Sequence, residues 1–275
     1  MYVDDTTDVI RTADLEHRGN GTTTLTHSME VRNVHKAFGE FKVLQGMNLN
    51  FADNAITTIL GPSGTGKSVL IKHLVGLLEP DDGEILIFGQ DIWKVSESER
   101  YELRKRFGVL FQDGALFGSL NLFDNTAFPL RKHTSMSESE IEEIVMQRLK
   151  EVGLERSITK HPSEVSGGMR KRAGFARAMV MNPDIVMFDE PDSGLDPVRT
   201  SLLNDLILQM HEEYGGTYLV VTHDIRTARK VSDYVGLIWK GKVVHYGEAD
   251  AAFASGDPFV RQFLSGDSAG PLGMD

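Results

Sequence analysis

The chain has 275 residues, 40% of them apolar, enough to build a sizeable core in one large or two small domains. A formal net charge of −11 argues against nonspecific nucleic-acid binding, and the lack of cysteine excludes structural disulfides and thiolate metal sites. No apolar run reaches the ~18 residues of a membrane-spanning helix, and the N-terminus is acidic where a secretory signal would be basic and then apolar, so a soluble chain that stays inside the cell is expected.

Residues 1–28 hold many Asp and Thr with few large apolar groups, and are expected to be a disordered tail. Strand patterns begin with Met29–Val34, continue over Val43–Phe51 and Ala55–Leu60, and run into Gly61-Pro62-Ser63-Gly64-Thr65-Gly66-Lys67-Ser68. That octapeptide matches G-x-x-x-x-G-K-[ST], the loop in which glycine-permitted turns aim backbone N–H groups at phosphate oxygens. Lys67 is expected to meet the β- and γ-phosphates and Ser68 to reach Mg²⁺, with the cradle extending from Gly61 to Val69. A helix over Ser68–Leu78 follows, with Leu70, Ile71, Leu74 and Leu77 as its apolar stripe and its positive dipole end toward the phosphates.

Ile85–Phe88 and Phe107–Phe111 read as strands, the second ending at Gln112. A helical insert follows, with a capping box at Ser137–Glu140 and apolar residues at Ile141, Ile144, Val145, Leu149 and Val152. Ser166 then caps a helix running through Met179. Further on come a strand at Asp184–Phe188, a helix opened by Pro197, a strand at Tyr218–Thr222, a short helix through Arg229, and strands at Val235–Trp239 and Lys242–Tyr246. Residues 248–275 are expected to form a short helix near Phe259–Leu264 and a flexible tail. Strands alternating with helices predict a mostly parallel sheet.

Asp189 and Glu190 close an apolar strand, which places both carboxylates at the C-terminal edge of the sheet beside the phosphate loop. Alone, such a pair is usually a surface turn; after a phosphate loop it reads as a metal and catalytic pair. Asp189 is expected to hold Mg²⁺, and Glu190, pointing to the other side of the chain, to polarise an attacking water. His223 ends the next strand, where its imidazole can bond the γ-phosphate. Ser166, Gly167 and Gly168 open a helix with a capping hydroxyl and unobstructed N–H groups, either a plain N-cap or a second anion site. With one phosphate loop already present, the second site would serve another subunit's ATP.

In this order the motifs resemble the ABC ATPase family over residues 29–247. The resemblance implies an α/β P-loop NTPase fold: a RecA-like mixed-sheet core, an N-terminal antiparallel β-subdomain and a helical subdomain at about residues 113–171. It also implies a head-to-tail homodimer that sandwiches two ATP molecules, each between one phosphate loop and the partner's Ser166 and Gly168. Val165-Ser-Gly-Gly-Met169 is similar to the family's Leu-Ser-Gly-Gly-Gln, and Met169 lacks that glutamine's hydrogen bonds. Asp196 falls in the D-loop of the family, Phe38 takes the place of the aromatic that stacks on adenine, and Gln112 that of a residue touching Mg²⁺ or the attacking water. The catalytic set so implied is Glu190, His223, Gln112 and Lys67.

Phe111–Arg131, Ser166–Arg172 and Glu190–Arg199 resemble more closely the ATP-binding subunits of Mce- and Mla-type lipid transporters, including the actinobacterial Mce-associated ATPase. The resemblance implies an integral-membrane permease contacting Ala115–Phe123, Mce/Mla substrate-binding proteins as indirect partners, and a peripheral position on the cytoplasmic side of the inner membrane. Leu116, Phe117, Leu120, Leu122 and Phe123 would line the permease socket, about half of them packing the insert's own core instead. Arg104–Arg106 and Arg170–Arg172 are expected to be solvated faces rather than headgroup or partner contacts. Two other functions remain open on the sequence: a soluble ABC protein acting on ribosomes or DNA, and an ATP-gated scaffold with little turnover.

Overall fold

The computed structural model describes residues 27–271, so residues 1–26 of the expected N-terminal tail, and 272–275 of the C-terminal one, lie outside the described residues. In chain order the elements are β1 His27–Phe38, β2 Phe41–Ala52, β3 Ile56–Leu60, α1 Lys67–Leu74, β4 Asp82–Ile87, β5 Gln90–Asp91, α2 Glu97–Lys105, β6 Phe107–Leu110, α3 Leu122–His133, α4 Glu138–Glu151, α5 Gly167–Met179, β7 Ile185–Asp189, α6 Pro197–Tyr214, β8 Thr217–Thr222, α7 Ile225–Val231, β9 Tyr234–Trp239, β10 Lys242–Glu248, α8 Ala249–Phe253 and α9 Pro258–Ser265.

Strands β2-β1-β4-β5 form an antiparallel sheet, and β10-β9-β3-β8-β7-β6 a second sheet in which only β10 runs antiparallel to its neighbour. Alternation along β7 and β8 sends Val186, Phe188, Tyr218 and Val220 to one face, where they meet Phe175 of α5 and Ile207 of α6. Ile185, Met187, Leu219 and Val221 go to the other, against α1 and the antiparallel sheet. A third cluster packs α8 and α9 on β9 through Leu237, Ala252, Val260 and Leu264.

Several expectations are corrected. His27 and Ser28, assigned to the tail, belong to β1; Ser28 is buried, its hydroxyl bonded to Asp53 and Thr217. α1 ends at Leu74, and Leu77 is 59% exposed rather than part of the stripe. Helix α2 is not among the expected elements, although Ser96 and Glu99 make a capping box around it, and α3, whose N-cap is Asn121, lies within the expected helical insert but is not delimited by the sequence pattern. In both, charged and polar residues dilute the apolar period.

Candidate functional site

The C-terminal ends of four adjacent parallel strands carry the candidate residues. Leu60 of β3 is level with Thr222 of β8, and Asp189 of β7 with Val221 of β8, while β6 lies beside β7. Neighbouring strands are ~4.8 Å apart, so Gly61–Ser68, His223, Asp189–Glu190 and Gln112 emerge side by side from one edge. This is where α/β sheets receive ligands.

The loop after β3 is shaped for an anion. Gly64 and Gly66 adopt φ of 80° and 97°, and a Cβ on Gly66 would lie 2.8 Å from Leu44 of β2, so only glycine fits there. No side chain caps α1, and Leu70 N–H is bonded to Gly66 O at 2.8 Å. The preceding amides of Lys67, Ser68 and Val69 thus stand at a bare helix start, the arrangement that accepts phosphate. Pro62 O accepts the Thr65 hydroxyl at 2.9 Å, while Ser63 and Gly64 form the exposed tip.

Lys67 is buried, with Nζ donating to Gly61 O at 2.7 Å and Pro62 O at 2.9 Å and lying 3.9 Å from Glu190 Oε1. Burial lowers its pKa, with Glu190 and then Asp189 opposing that shift. Ser68 donates to Asp189 Oδ1 at 2.9 Å, and burial raises the Asp189 pKa. The hydroxyl and carboxylate form a hard-oxygen pair suited to Mg²⁺, a cation that takes few protein ligands beside substrate phosphates. Among the described residues no group of three or more His, Cys, Asp or Glu could hold a metal.

Strand alternation predicts Glu190 on the face opposite Asp189, and the structure overturns this. Glu190 adopts φ of 49°, which ends the alternation and brings its carboxylate toward Lys67 and to 3.7 Å from His223 Nδ1. Gln112, exposed two residues beyond β6, donates from its Nε2 to Ser193 Oγ at 3.3 Å. Asp196 is committed to capping α6, its Oδ1 accepting Val198 N and Arg199 N, each at 3.0 Å. Phe38 is 51% exposed at the β1–β2 turn, so it is not a core aromatic.

Ser166 caps α5 by accepting Met169 N at 3.3 Å, and Gly167 beside it is exposed. The space over Gly168 is bordered by Leu195 and Arg199 at 3.7 Å. Among the described residues, no hydrogen bond joins Ser166 to the same chain's phosphate loop.

The basic runs are solvated faces only in part: Lys105 pairs with exposed Glu102, whereas most of the others are bound to the chain itself. Lys171 is buried and donates to the carbonyls of Glu190, Pro191 and Ser193, Arg172 donates to Val152 O at 2.6 Å, and Arg170 to Val165 O at 3.0 Å. Arg104 bonds Val75 O and Gly76 O at the end of α1, and Arg106 pairs with Asp184 at 2.7 Å. Free helix-end and loop carbonyls need donors, and Arg104, Arg170, Lys171 and Arg172 supply them.

Sequence reasoning also missed Asp192, a buried carboxylate accepting the Thr222 hydroxyl at 2.6 Å, and buried Asn125, whose side chain bonds the backbone at Phe117 and Leu120. Neither stands out from its polar neighbours along the chain, Glu190 and Ser193 near Asp192 and Asp124 and Thr126 beside Asn125, so no local signal marks them.

A family model described as ABC transporter matches residues 44–193. The chain belongs to the ABC transporter ATP-binding family. This ABC cassette is 50% identical over 256 residues to the probable ribonucleotide transport ATP-binding protein mkl of Mycobacterium leprae, covering 93% of this chain and 74% of that protein. Over 244 residues it is 41% identical to the intermembrane phospholipid transport system ATP-binding protein MlaF of Escherichia coli K12, covering 89% and 91% of the two chains. Its fold is similar to the dimeric post-hydrolysis state of the ATP-binding cassette MJ0796 bound to ADP and Pi, with a TM-score of 0.74 and 30% identity over 80% of this chain and 98% of that one. The chain is thus an ABC-type ATPase of the kind that works as a dimer. Among the described residues no helix is long and apolar enough to cross a membrane.

Proposed function

We propose that this ABC ATPase powers a phospholipid-moving membrane assembly, bound peripherally to an integral-membrane permease on the cytoplasmic face of the inner membrane. The observation that carries this reading is its 41% identity to the phospholipid-transport cassette MlaF across 91% of that protein.

Each ATP lies between one chain's Gly61–Val69 cradle and the partner chain's Ser166–Gly168, with Phe38 against the adenine. Ser68 and Asp189 would hold Mg²⁺, which would supply charge neutralisation at the phosphates. Lys67 leaves the loop carbonyls for the β- and γ-phosphate oxygens, exchanging dipoles for full charges. Glu190, 3.9 Å from Lys67 and 3.7 Å from His223, accepts a hydrogen bond from the attacking water, and His223 orients the γ-phosphate. Gln112, tied to Ser193, relays the nucleotide state to Ala115–Phe123 and so to the permease. Mce/Mla-type substrate-binding proteins connect through the permease.

Copurification of the tagged chain from native membranes, followed by mass spectrometry of bound small molecules, tests the assignment. A permease with enriched phospholipid is expected. A permease that carries ribonucleotides instead, or recovery of the chain on ribosomes or DNA, would overturn it.

A further inference from the structure

Lys171 lies on the first turns of α5, five residues after Ser166, and is 5% exposed. Its Nζ donates to Pro191 O at 2.9 Å and to Ser193 O, and lies 3.4 Å from Glu190 O. One buried ammonium therefore directs its three donors at three carbonyls of a single four-residue segment. An ammonium withdrawn from water is tolerated only when its hydrogens are accepted, so these carbonyls are held in place as firmly as the charge requires.

The gripped segment is bounded by two left-handed residues. Glu190 stands at φ of 49° and Gly194 at 71°, and the Glu190 amide is pinned to Val221 O at 2.8 Å. Holding a non-glycine residue in the left-handed region costs energy, and the surroundings must supply it. A second contact links the same two regions: Leu195 and Arg199 border the space over Gly168. The start of α5 and residues 190–199 therefore form one packed body.

We infer that Lys171 is a positioning residue that couples the two ATP sites of the dimer. Ser166 and Gly168 face the partner's nucleotide, whereas Glu190 faces the chain's own. When the partner's phosphates engage the start of α5, Lys171 carries that displacement to the Glu190 backbone and so to the carboxylate that orients water. Hydrolysis at each site then depends on occupancy of the other. The inference rests on the composite-site reading given under the proposed function.

The test uses the full chain as its dimer, with the Lys171→Met substitution, which keeps the aliphatic stem and removes the donors. ATP affinity should stay within about twofold, because Lys171 touches no nucleotide, while kcat falls by at least about tenfold as Glu190 loses its placement. The Hill coefficient for ATP should drop from near two toward one. Lys171→Arg, which keeps charge and donors, should recover part of both. If Lys171→Met does not fold, Lys171→Gln is read on the same quantities and should show the same loss of kcat and cooperativity. Unchanged kcat and Hill coefficient, or a loss confined to ATP affinity, would overturn the coupling role. Failure of the composite site itself is a separate outcome, read from mixed dimers that leave Lys171 intact: if their rate does not depend on how Ser166 and Lys67 defects are distributed between chains, that reading falls and not merely this one.

Discussion

Glu190 is where local geometry and chemistry are most tightly joined. A strand pattern sends consecutive side chains to opposite faces, but φ of 49° turns Glu190 back toward Lys67 and His223. Its carboxylate is placed to take a proton's share from water while adding little to ATP affinity. Glu190→Gln should therefore retain ATP, accumulate as a closed dimer, and hydrolyse at least about a hundredfold more slowly, as expected of a general base. Near-normal phosphate release would remove Glu190 from that role. Lys67 contributes in the opposite way. Its ammonium is buried against loop carbonyls and available to phosphate, so Lys67→Ala should lose nucleotide binding itself, measurable by titration with a fluorescent ATP analogue. Unchanged affinity would count against the cradle assignment.

At the scale of elements, the apolar stretch after Gln112 divides in two. Leu122 is fully buried, and Leu116 and Phe123 pack against the core, whereas Phe117 is 44% exposed with its ring 4.7 Å from that of Phe128. Buried Asn125 fixes this stretch: its side chain accepts Phe117 N at 2.7 Å and donates to the carbonyls of Phe117, Leu120 and Asn121. Arg177 of α5 latches the other end through Gly114 O and Ala115 O. Phe117→Asp should consequently weaken permease copurification while basal ATPase of the isolated chain survives, since a charge in a desolvated interface costs about 2 kcal/mol or more. Leu116→Asp should lower the stability of the isolated chain as well. Normal copurification and lipid movement with Phe117→Asp would place the socket elsewhere.

Helix α1 carries a different liability. His73 is fully buried, and its Nδ1–H donates to Val69 O at 2.7 Å. Burial first, then nearby Lys36, lowers its pKa below the usual 6.5, against the helix carbonyl and Asp81. Between the folded value and 6.5 the unfolded chain binds more protons, so this histidine's contribution is full above 6.5 and is lost as pH falls through the folded pKa. Urea midpoints should fall with pH in that window, and the slope should shrink in His73→Leu. An unchanged slope would show that other groups set it.

For the whole molecule, the decisive arrangement involves two copies. If Ser166 serves the partner's ATP, a dimer of one Ser166→Arg chain and one Lys67→Ala chain keeps one intact composite site, because both defects fall on the same nucleotide. Placing both changes in one chain damages both sites. ATPase rates should differ between these arrangements, and equal rates would reduce Ser166 to a helix cap. The phosphate loop, the Asp189–Glu190 edge, His223 and the α5 start were all legible in the sequence, since each depends on a short stretch of backbone and its own side chains. So was the alternation of strands and helices, because periodicity records which side of each element faces the core. Only the tertiary structure decided that Glu190 folds back beside Lys67, that Gln112 bonds Ser193, that Asp196 caps α6, and that Lys171 and Arg172 satisfy internal carbonyls instead of facing water. Those facts depend on where distant backbone groups come to rest, and a charged side chain's partner, unlike its period, is not written in its neighbours along the chain.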